Sequence, residues 1–95
     1  MTNLSRQMET RLSLYAMILG VEDNKHALAD MQFIITTPGC EVVGCFNDKN
    51  ERTFTFVFRL DGETYSFRRT TGERAILEAR RAVEKQLDQI KTRVA

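Results

Sequence analysis

The Asp61-Gly62 dipeptide restricts the fold of this chain more than any other feature of its sequence. It separates two segments of alternating apolar and polar residues, and a two-residue type I′ turn favours this dipeptide because both central residues need positive φ. A turn of that length fixes the register of an antiparallel hairpin and places Phe58 opposite Tyr65. Four aromatic side chains then share one face: Phe56, Phe58, Tyr65 and Phe67. The other face carries Thr55, Val57, Arg59, Thr64, Ser66 and Arg68, and could meet solvent, a partner or the first helix.

A third alternating segment, Cys40–Phe46, precedes this hairpin and is joined to the strand Arg52–Leu60 by the polar loop 47–51. The three segments together predict an antiparallel meander. Gly44 interrupts the apolar pattern and indicates a β-bulge. In a regular strand, Cys40 and Cys45 would point to opposite faces and lie too far apart for a disulfide.

The N-terminal segment Asn3–Leu19 has the apolar spacing of an amphipathic helix, and Gly20 is a typical residue after a helix end. The main stripe consists of Leu4, Met8, Leu12, Tyr15 and Leu19. A second apolar set, Leu14, Met17 and Ile18, lies outside that stripe. We therefore predict that this second set is an interface, either of a homodimer or with a partner protein.

A short second helix is predicted over 24–34, with Asp23 or Asn24 as its cap. For residues 31–37 a strand remains the alternative, because every residue from Phe33 to Thr37 is aromatic or β-branched. The pair Pro38-Gly39 then breaks the chain before the first strand.

A long helix is predicted to follow the third strand, since residues 70–73 match a capping box with Thr70 as the cap and Glu73 reaching back. Its apolar stripe consists of Ile76, Ala79, Val83, Leu87, Ile90 and Val94. This spacing predicts that the helix packs on the aromatic face of the sheet. The chain is thus expected to be one α+β domain over 1–95, with an N-terminal helix in 1–20 and an α-β-β-β-α unit in 24–94.

The charge balance argues against a general nucleic-acid binder, because fourteen basic and thirteen acidic residues among 95 give a formal charge of +1. The longest apolar stretch, 14–21, is too short to span a bilayer, and no secretory cleavage site follows it. A cytoplasmic protein without membrane association is expected.

Residue patterns typical of catalysis or metal binding are missing from the sequence. His26 is the sole histidine, and no serine or cysteine has the context of an activated nucleophile. Cys40, Cys45 and His26 lack the paired spacing of a zinc site, and the loop 47–51 lacks the pattern of a calcium loop. We predict no enzymatic activity, no small-molecule substrate, no metal and no cofactor.

One local cluster of cations adjoins a predicted helix start: Arg68, Arg69 and Arg74. Backbone amides at a helix N-terminus and guanidinium groups both attract anions. Arg68 should project from the polar face of the sheet and Arg69 toward the helix, because neighbouring strand residues alternate. The cluster is a candidate site for a partner's phosphate or carboxylate groups.

Residues 24–87 resemble a double-stranded-RNA-binding domain in the order and spacing of a short helix, Cys40-Glu41-Val42-Val43, the strand Phe54–Leu60 and an alanine-containing last helix. The resemblance implies an α-β-β-β-α fold and RNA binding. The histidine-containing Gly-Pro loop and the lysine cluster with which that family contacts RNA are not matched. Arg68, Arg69 and Arg74 are the residues that could substitute for the cluster.

The sequence therefore predicts a small regulatory protein that acts by protein binding, as an adaptor or as an inhibitor that occludes a surface of a larger complex. A complex that handles nucleic acid is one candidate target, on the basis of chain size alone. RNA binding of the double-stranded-RNA-binding type is the alternative.

Overall fold

A computed structural model describes residues 5–94 of the chain, and the side chains of residues 5–92. Its elements are α1 (Arg6–Leu19), α2 (Lys25–Thr36), β1 (Cys40–Asp48), β2 (Thr53–Leu60), β3 (Glu63–Arg69) and α3 (Gly72–Val94). The strands form one antiparallel sheet in the order β1-β2-β3. The predicted α+β class, with two N-terminal helices, a three-stranded meander and a long C-terminal helix on one sheet face, is confirmed.

The β2-β3 hairpin has the predicted turn and register. Asp61 and Gly62 have φ values of 55° and 80°, as a type I′ turn requires. Phe58 pairs with Tyr65 and Phe56 with Phe67. The Phe58 ring lies 5.1 Å from the Tyr65 ring and 6.2 Å from the Phe67 ring, centroid to centroid. The aromatic cluster therefore forms as the turn dictates.

The β1-β2 pairing contains a bulge at Val43, because Val42 pairs with Phe58 while Gly44 pairs with Val57. The bulge was predicted, but its effect on the cysteines was not. Cys40 pairs with Leu60 and Cys45 with Phe56, so both cysteines lie on the core face. The prediction that they point to opposite faces was wrong, because the extra residue at the bulge shifts the alternation by one and places Cys45 on the same face as Cys40.

The β1-β2 loop is also shorter than predicted. Asn47 and Asp48 pair with Phe54 and Thr53, which extends β1 into the segment expected to be loop. Asp48 then closes the turn, since its Oδ1 accepts hydrogen bonds from the amides of Asn50 and Glu51. An Asx-type turn of this kind lets a polar residue end a strand.

All three helices cover the same face of the sheet. Phe56, Phe58, Ile76 and Val83 are fully buried between the sheet and α3. α1 and α2 cover the β1 side, where Met31 and Ile34 of α2 and Leu19 of α1 enter the same apolar cluster. Within residues 5–94, no helix covers the opposite face of the sheet, so α1 does not lie on the face that the sequence left open to it.

The observed helix ends differ from the predicted ones by one to three residues. α1 is capped by Ser5, whose Oγ accepts from the Met8 amide, and the predicted residues Asn3 and Leu4 lie outside the described residues. α2 is capped by Asn24, one of the two predicted caps, and runs to Thr36. The segment 31–36 is helical because burial of Met31 and Ile34 outweighs its strand propensity.

The capping box predicted at Thr70 is wrong. β3 continues to Arg69, so Thr70 is the connecting residue and Thr71 is the cap, with its Oγ1 accepting from the Arg74 amide. Gly72, the first residue of α3, lies against the end of α1. A Cβ atom added to it would be 1.9 Å from the Leu19 carbonyl oxygen. Glycine is therefore required where the two helix termini meet.

Candidate interaction surfaces

The predicted interface on α1 is partly exposed. Leu14, Met17 and Ile18 have i, i+3 and i+4 spacing, so they lie on one side of the helix. Leu14 is 50% exposed and Met17 is 59% exposed, whereas Ile18 packs partly against the core. We call Leu14, Met17 and Ile18 the α1 face. Two of its three side chains are free to contact another molecule.

A small pocket opens between α1, the end of α2 and the start of β1, with a volume of about 140 Å³. Arg11 and Tyr15 line it from α1, and Cys40 and Val42 line it from β1. Arg11 lies one helical turn before Leu14, so the pocket adjoins the α1 face. It has room for one apolar side chain of a bound protein.

The uncovered side of the sheet forms a second surface, the open face, made of Val43, Phe46, Val57, Arg59 and Arg68 with the hydroxyl residues between them. Val43 is 51% exposed and Phe46 is 58% exposed. The Phe46 ring folds over Gly44, where its Cζ lies 3.3 Å from the position that a Cβ atom would occupy. Gly44 therefore gives the Phe46 ring room to approach the backbone of β1.

Pairing aligns Phe46, Thr55 and Arg68 in one row across the three strands. The Arg68 Nε donates to Thr53 Oγ1 at 3.2 Å, which holds the guanidinium against the sheet. Within the described part of the chain, neither Arg59 nor Arg68 has a carboxylate within ion-pair distance. The open face thus combines apolar groups with two arginines that form no close ion pair, and the carboxylates Glu41, opposite Arg59, and Asp48, opposite Thr53, lie on the same face.

The three arginines of the predicted cation cluster are divided between two sides of the sheet. Arg68 lies on the open face and Arg69 turns toward α3, as the strand alternation predicts. Arg69 binds Glu78 through two hydrogen bonds of 2.6 and 3.0 Å, and Arg74 binds the same carboxylate at 2.8 Å. Glu78 therefore offsets much of the positive charge at the start of α3.

The same contacts shift the pKa values of Glu78 and Arg69. Hydrogen bonding from Arg69 lowers the pKa of Glu78 from its usual 4.5 to about 2, and Arg74 adds to the effect. The hydrogen bond to Glu78 in turn raises the pKa of Arg69. This cluster has the geometry of a structural ion pair that fixes α3 to the end of β3.

A wider groove, of about 700 Å³, lies between the β2-β3 turn and the last turns of α3. Its charged lining residues are Asp61, Glu63 and Asp88, and Tyr65 also lines it. Desolvation, followed by the Glu63 and Asp61 carboxylates, raises the pKa of the Tyr65 hydroxyl. The groove is acidic and has no sequence signal, because its two sides are more than twenty residues apart.

Cys45 is buried and Cys40 half-buried, whereas His26 is exposed. Burial raises the pKa of Cys40 to about 11 and that of Cys45 to about 12, so both stay protonated and weakly nucleophilic at neutral pH. His26 lies exposed in the first turn of α2. Residues 5–94 contain no cluster of three potential metal-binding side chains.

No family model matches the chain, and no curated protein or solved structure is significantly similar to it. The resemblance to double-stranded-RNA-binding domains stays at the order of helices and strands. None of the helices within residues 5–94 is long and apolar enough to cross a membrane.

The sequence predicted the α1 face and the opposite orientations of Arg68 and Arg69. It also placed Arg59 and Arg68 on one face of the sheet, but it did not identify Val43 and Phe46 as part of that surface. The signal was present in the strand alternation, but the bulge reverses the alternation after Val42 and moves Phe46 to the open face.

Proposed function

We propose that this chain is a small non-catalytic interaction protein, an adaptor or an inhibitor, that binds a protein partner and occludes a surface of a larger complex. The observation that carries the proposal is the exposure of Leu14 and Met17 on a helix whose other side is buried in the core. Apolar side chains clustered on a rigid helix are typical of protein interfaces. The adjoining pocket beside Arg11 supports the same function.

The proposal includes a cytoplasmic location, which the two free cysteines support because reducing compartments maintain free thiols. A complex that handles nucleic acid remains one candidate target. For the chain to act by occlusion, the surface that it blocks must be small enough for an 11.0 kDa protein to cover.

Affinity purification from the native cell tests this proposal. The wild-type chain should retain a specific protein, and Leu14→Ser with Met17→Ser should lose it while remaining folded. The matched control is Arg81→Ser with Lys85→Ser, two exposed positions on α3. Equal recovery of the same protein by all three forms would exclude the α1 face as its binding site.

RNA binding is the alternative proposal, supported by the order of helices and strands. Glu78 weakens its support, since this carboxylate occupies two of the three candidate arginines. Titration with a duplex RNA at increasing salt distinguishes the two. If the chain binds RNA through several phosphates, the logarithm of the binding constant should fall linearly with the logarithm of the salt concentration. The affinity of an apolar protein interface should change little with salt.

A further inference from the structure

We infer that the exposed edge of β3 pairs with the same edge of a second copy of the chain, antiparallel and centred on Ser66, so that two copies form one continuous sheet. The inference goes beyond the proposed function and does not depend on it, because it concerns the edge of the sheet opposite the one that α1 contacts. Three observations carry it: the backbone groups that β3 presents, the lack of protection of this edge within residues 5–94, and the self-complementary order of its side chains.

The backbone of β3 presents hydrogen-bonding groups to the outside at every second residue. In a hairpin closed by a two-residue turn, the residues that flank the turn exchange hydrogen bonds, and the following pairs alternate between bonded and non-bonded. The amides and carbonyls of Thr64, Ser66 and Arg68 therefore point away from β2. Within residues 5–94 none of the three amides has another acceptor, and only the Arg68 carbonyl is occupied, by Arg69 Nη1 at 2.6 Å. Such a row of groups is satisfied by another extended strand.

Within the described residues, β3 lacks the features that keep the other edge strand from pairing. β1 contains the bulge at Val43 and contacts α1 and α2, and bulges and covering helices are usual protections of a sheet edge. β3 pairs with β2 without a shift of register over its 7 residues, and none of them is buried. Its two aromatic side chains, Tyr65 and Phe67, stay partly exposed. A further strand would cover them.

The side chains of β3 are ordered so that the strand matches itself in the antiparallel direction. A two-fold axis at Ser66 pairs the whole strand, places each Thr64 opposite Arg68 of the second copy, and aligns the outward backbone groups of both copies. On the α3 side it sets Tyr65 opposite Phe67 of the second copy, and aromatic cross-strand pairs stabilise antiparallel sheets. A register centred one residue away leaves a strand end unpaired.

The charges of β3 select the same arrangement. The strand begins with Glu63 at the acidic groove and ends with Arg68-Arg69. The basic end keeps a net positive charge although Glu73 and Glu78 lie in the first turns of α3, since Arg74 adds a third cation. Antiparallel pairing with a second copy brings each acidic end beside a basic end, which stabilises the pair. A strand of another protein would need the same order of charges.

Disulfide trapping tests the register. Paired residues at the two-fold axis have Cα atoms about 5.5 Å apart, within the range of a disulfide, so Ser66→Cys should form a covalent dimer under mild oxidation. Thr64→Cys alone and Arg68→Cys alone should not, because like residues of the two copies would lie roughly 13 Å apart along the strands. A mixture of Thr64→Cys and Arg68→Cys should cross-link as a heterodimer. The wild-type chain, with Cys45 buried and Cys40 half-buried, is the control and should not cross-link.

A non-covalent measurement uses Leu14→Ser with Met17→Ser as the background, so that the α1 face does not contribute. In this background light scattering should give a mass approaching twice 11.0 kDa as concentration rises. Adding Ser66→Pro should weaken association at least about tenfold, because the amide hydrogen bonds across the axis are lost. Proline is tolerated at an edge position whose amide faces solvent. Ser66→Ala keeps the amide and is the matched control, whereas Glu63→Lys should weaken association by charge repulsion.

The inference is overturned if Ser66→Cys does not cross-link, or if all three introduced cysteines cross-link equally as single variants. Cross-linking of Ser66→Cys that Leu14→Ser with Met17→Ser abolishes would place the contact on the α1 face instead. A Ser66→Cys chain that cross-links to another protein of the native cell but not to itself would assign the edge to a strand of that protein. Recovery of a partner through the α1 face is measured separately, so failure of this inference and failure of the proposed function are distinguishable.

Discussion

At the scale of single residues, one face of β2 belongs to the core and the other is exposed on the open face. Phe56 and Phe58 are fully buried and pack against α3, whereas Val57, between them, and Arg59, after them, lie on the open face. The strand thus joins the core directly to a candidate binding surface. Substitutions of neighbouring residues should therefore separate stability from binding.

Phe58→Ala should destabilise the fold by about 3–5 kcal/mol, because it removes a fully buried ring that contacts Phe56, Tyr65 and Phe67. Urea denaturation measures the change. Phe46→Ala is the matched control, an exposed phenylalanine in the same sheet, and should cost less than about 1 kcal/mol. Equal stability of the two variants would refute the assignment of the two sheet faces.

Glu78 should make stability depend on pH. Its folded-state pKa is lowered to about 2 from the usual 4.5, so its stabilising effect is complete above the unfolded-state pKa and is lost as pH falls from about 4.5 to 2. The melting temperature of the wild-type protein should therefore drop further over that interval than that of Glu78→Gln. Glu84→Gln, which removes a more exposed carboxylate in a 3.7 Å ion pair, should behave like the wild type.

At the scale of elements, the sequence patterns predicted individual helices and strands better than they predicted the junctions between them. The Asp61-Gly62 turn specified a whole hairpin, because its geometry depends on two residues alone. The start of α3 and the end of α2 were misplaced, since they depend on where β3 stops and on burial of Ile34 by distant residues. No local signal encodes such contacts.

The junction between α1 and α3 gives a test of this dependence. Alanine is intrinsically better than glycine in a helix by about 1 kcal/mol, so local propensity predicts that Gly72→Ala stabilises the protein. The clash with the Leu19 carbonyl oxygen predicts instead a loss of about 1–3 kcal/mol. Thermal denaturation decides the sign, with Glu73→Ala, at the next, exposed position, as the control.

At the scale of the whole molecule, the three helices on one side leave the protein with two unlike surfaces. The α1 face is apolar and helical, and the open face is apolar with arginines and hydroxyl groups. Sequence periodicity indicated the first, because a helical stripe is visible along the chain. The second arises from three strands and a bulge, so its residues meet only in the folded sheet.

The fold should be independent of metal and of thiol oxidation state. Within residues 5–94 there is no cluster of metal-binding side chains, and Cys40 and Cys45 are both free. Excess EDTA and a reducing agent should each leave the melting temperature unchanged. A fall of several degrees with either reagent would reveal a metal or a disulfide that stabilises the native state.

The α1 face also predicts self-association at high protein concentration. Leu14 lies near the middle of α1, so an antiparallel pair of α1 helices would bring Leu14 and Met17 of two copies together and remove them from water. Light scattering of Ser66→Pro, in which the β3 edge is blocked, should then give a mass approaching twice 11.0 kDa as concentration rises. In that background Leu14→Ser with Met17→Ser should restore the monomer mass, whereas Phe46→Ala should not. A wild-type chain that stays monomeric at every concentration would contradict the homodimer and leave the α1 face available to another protein.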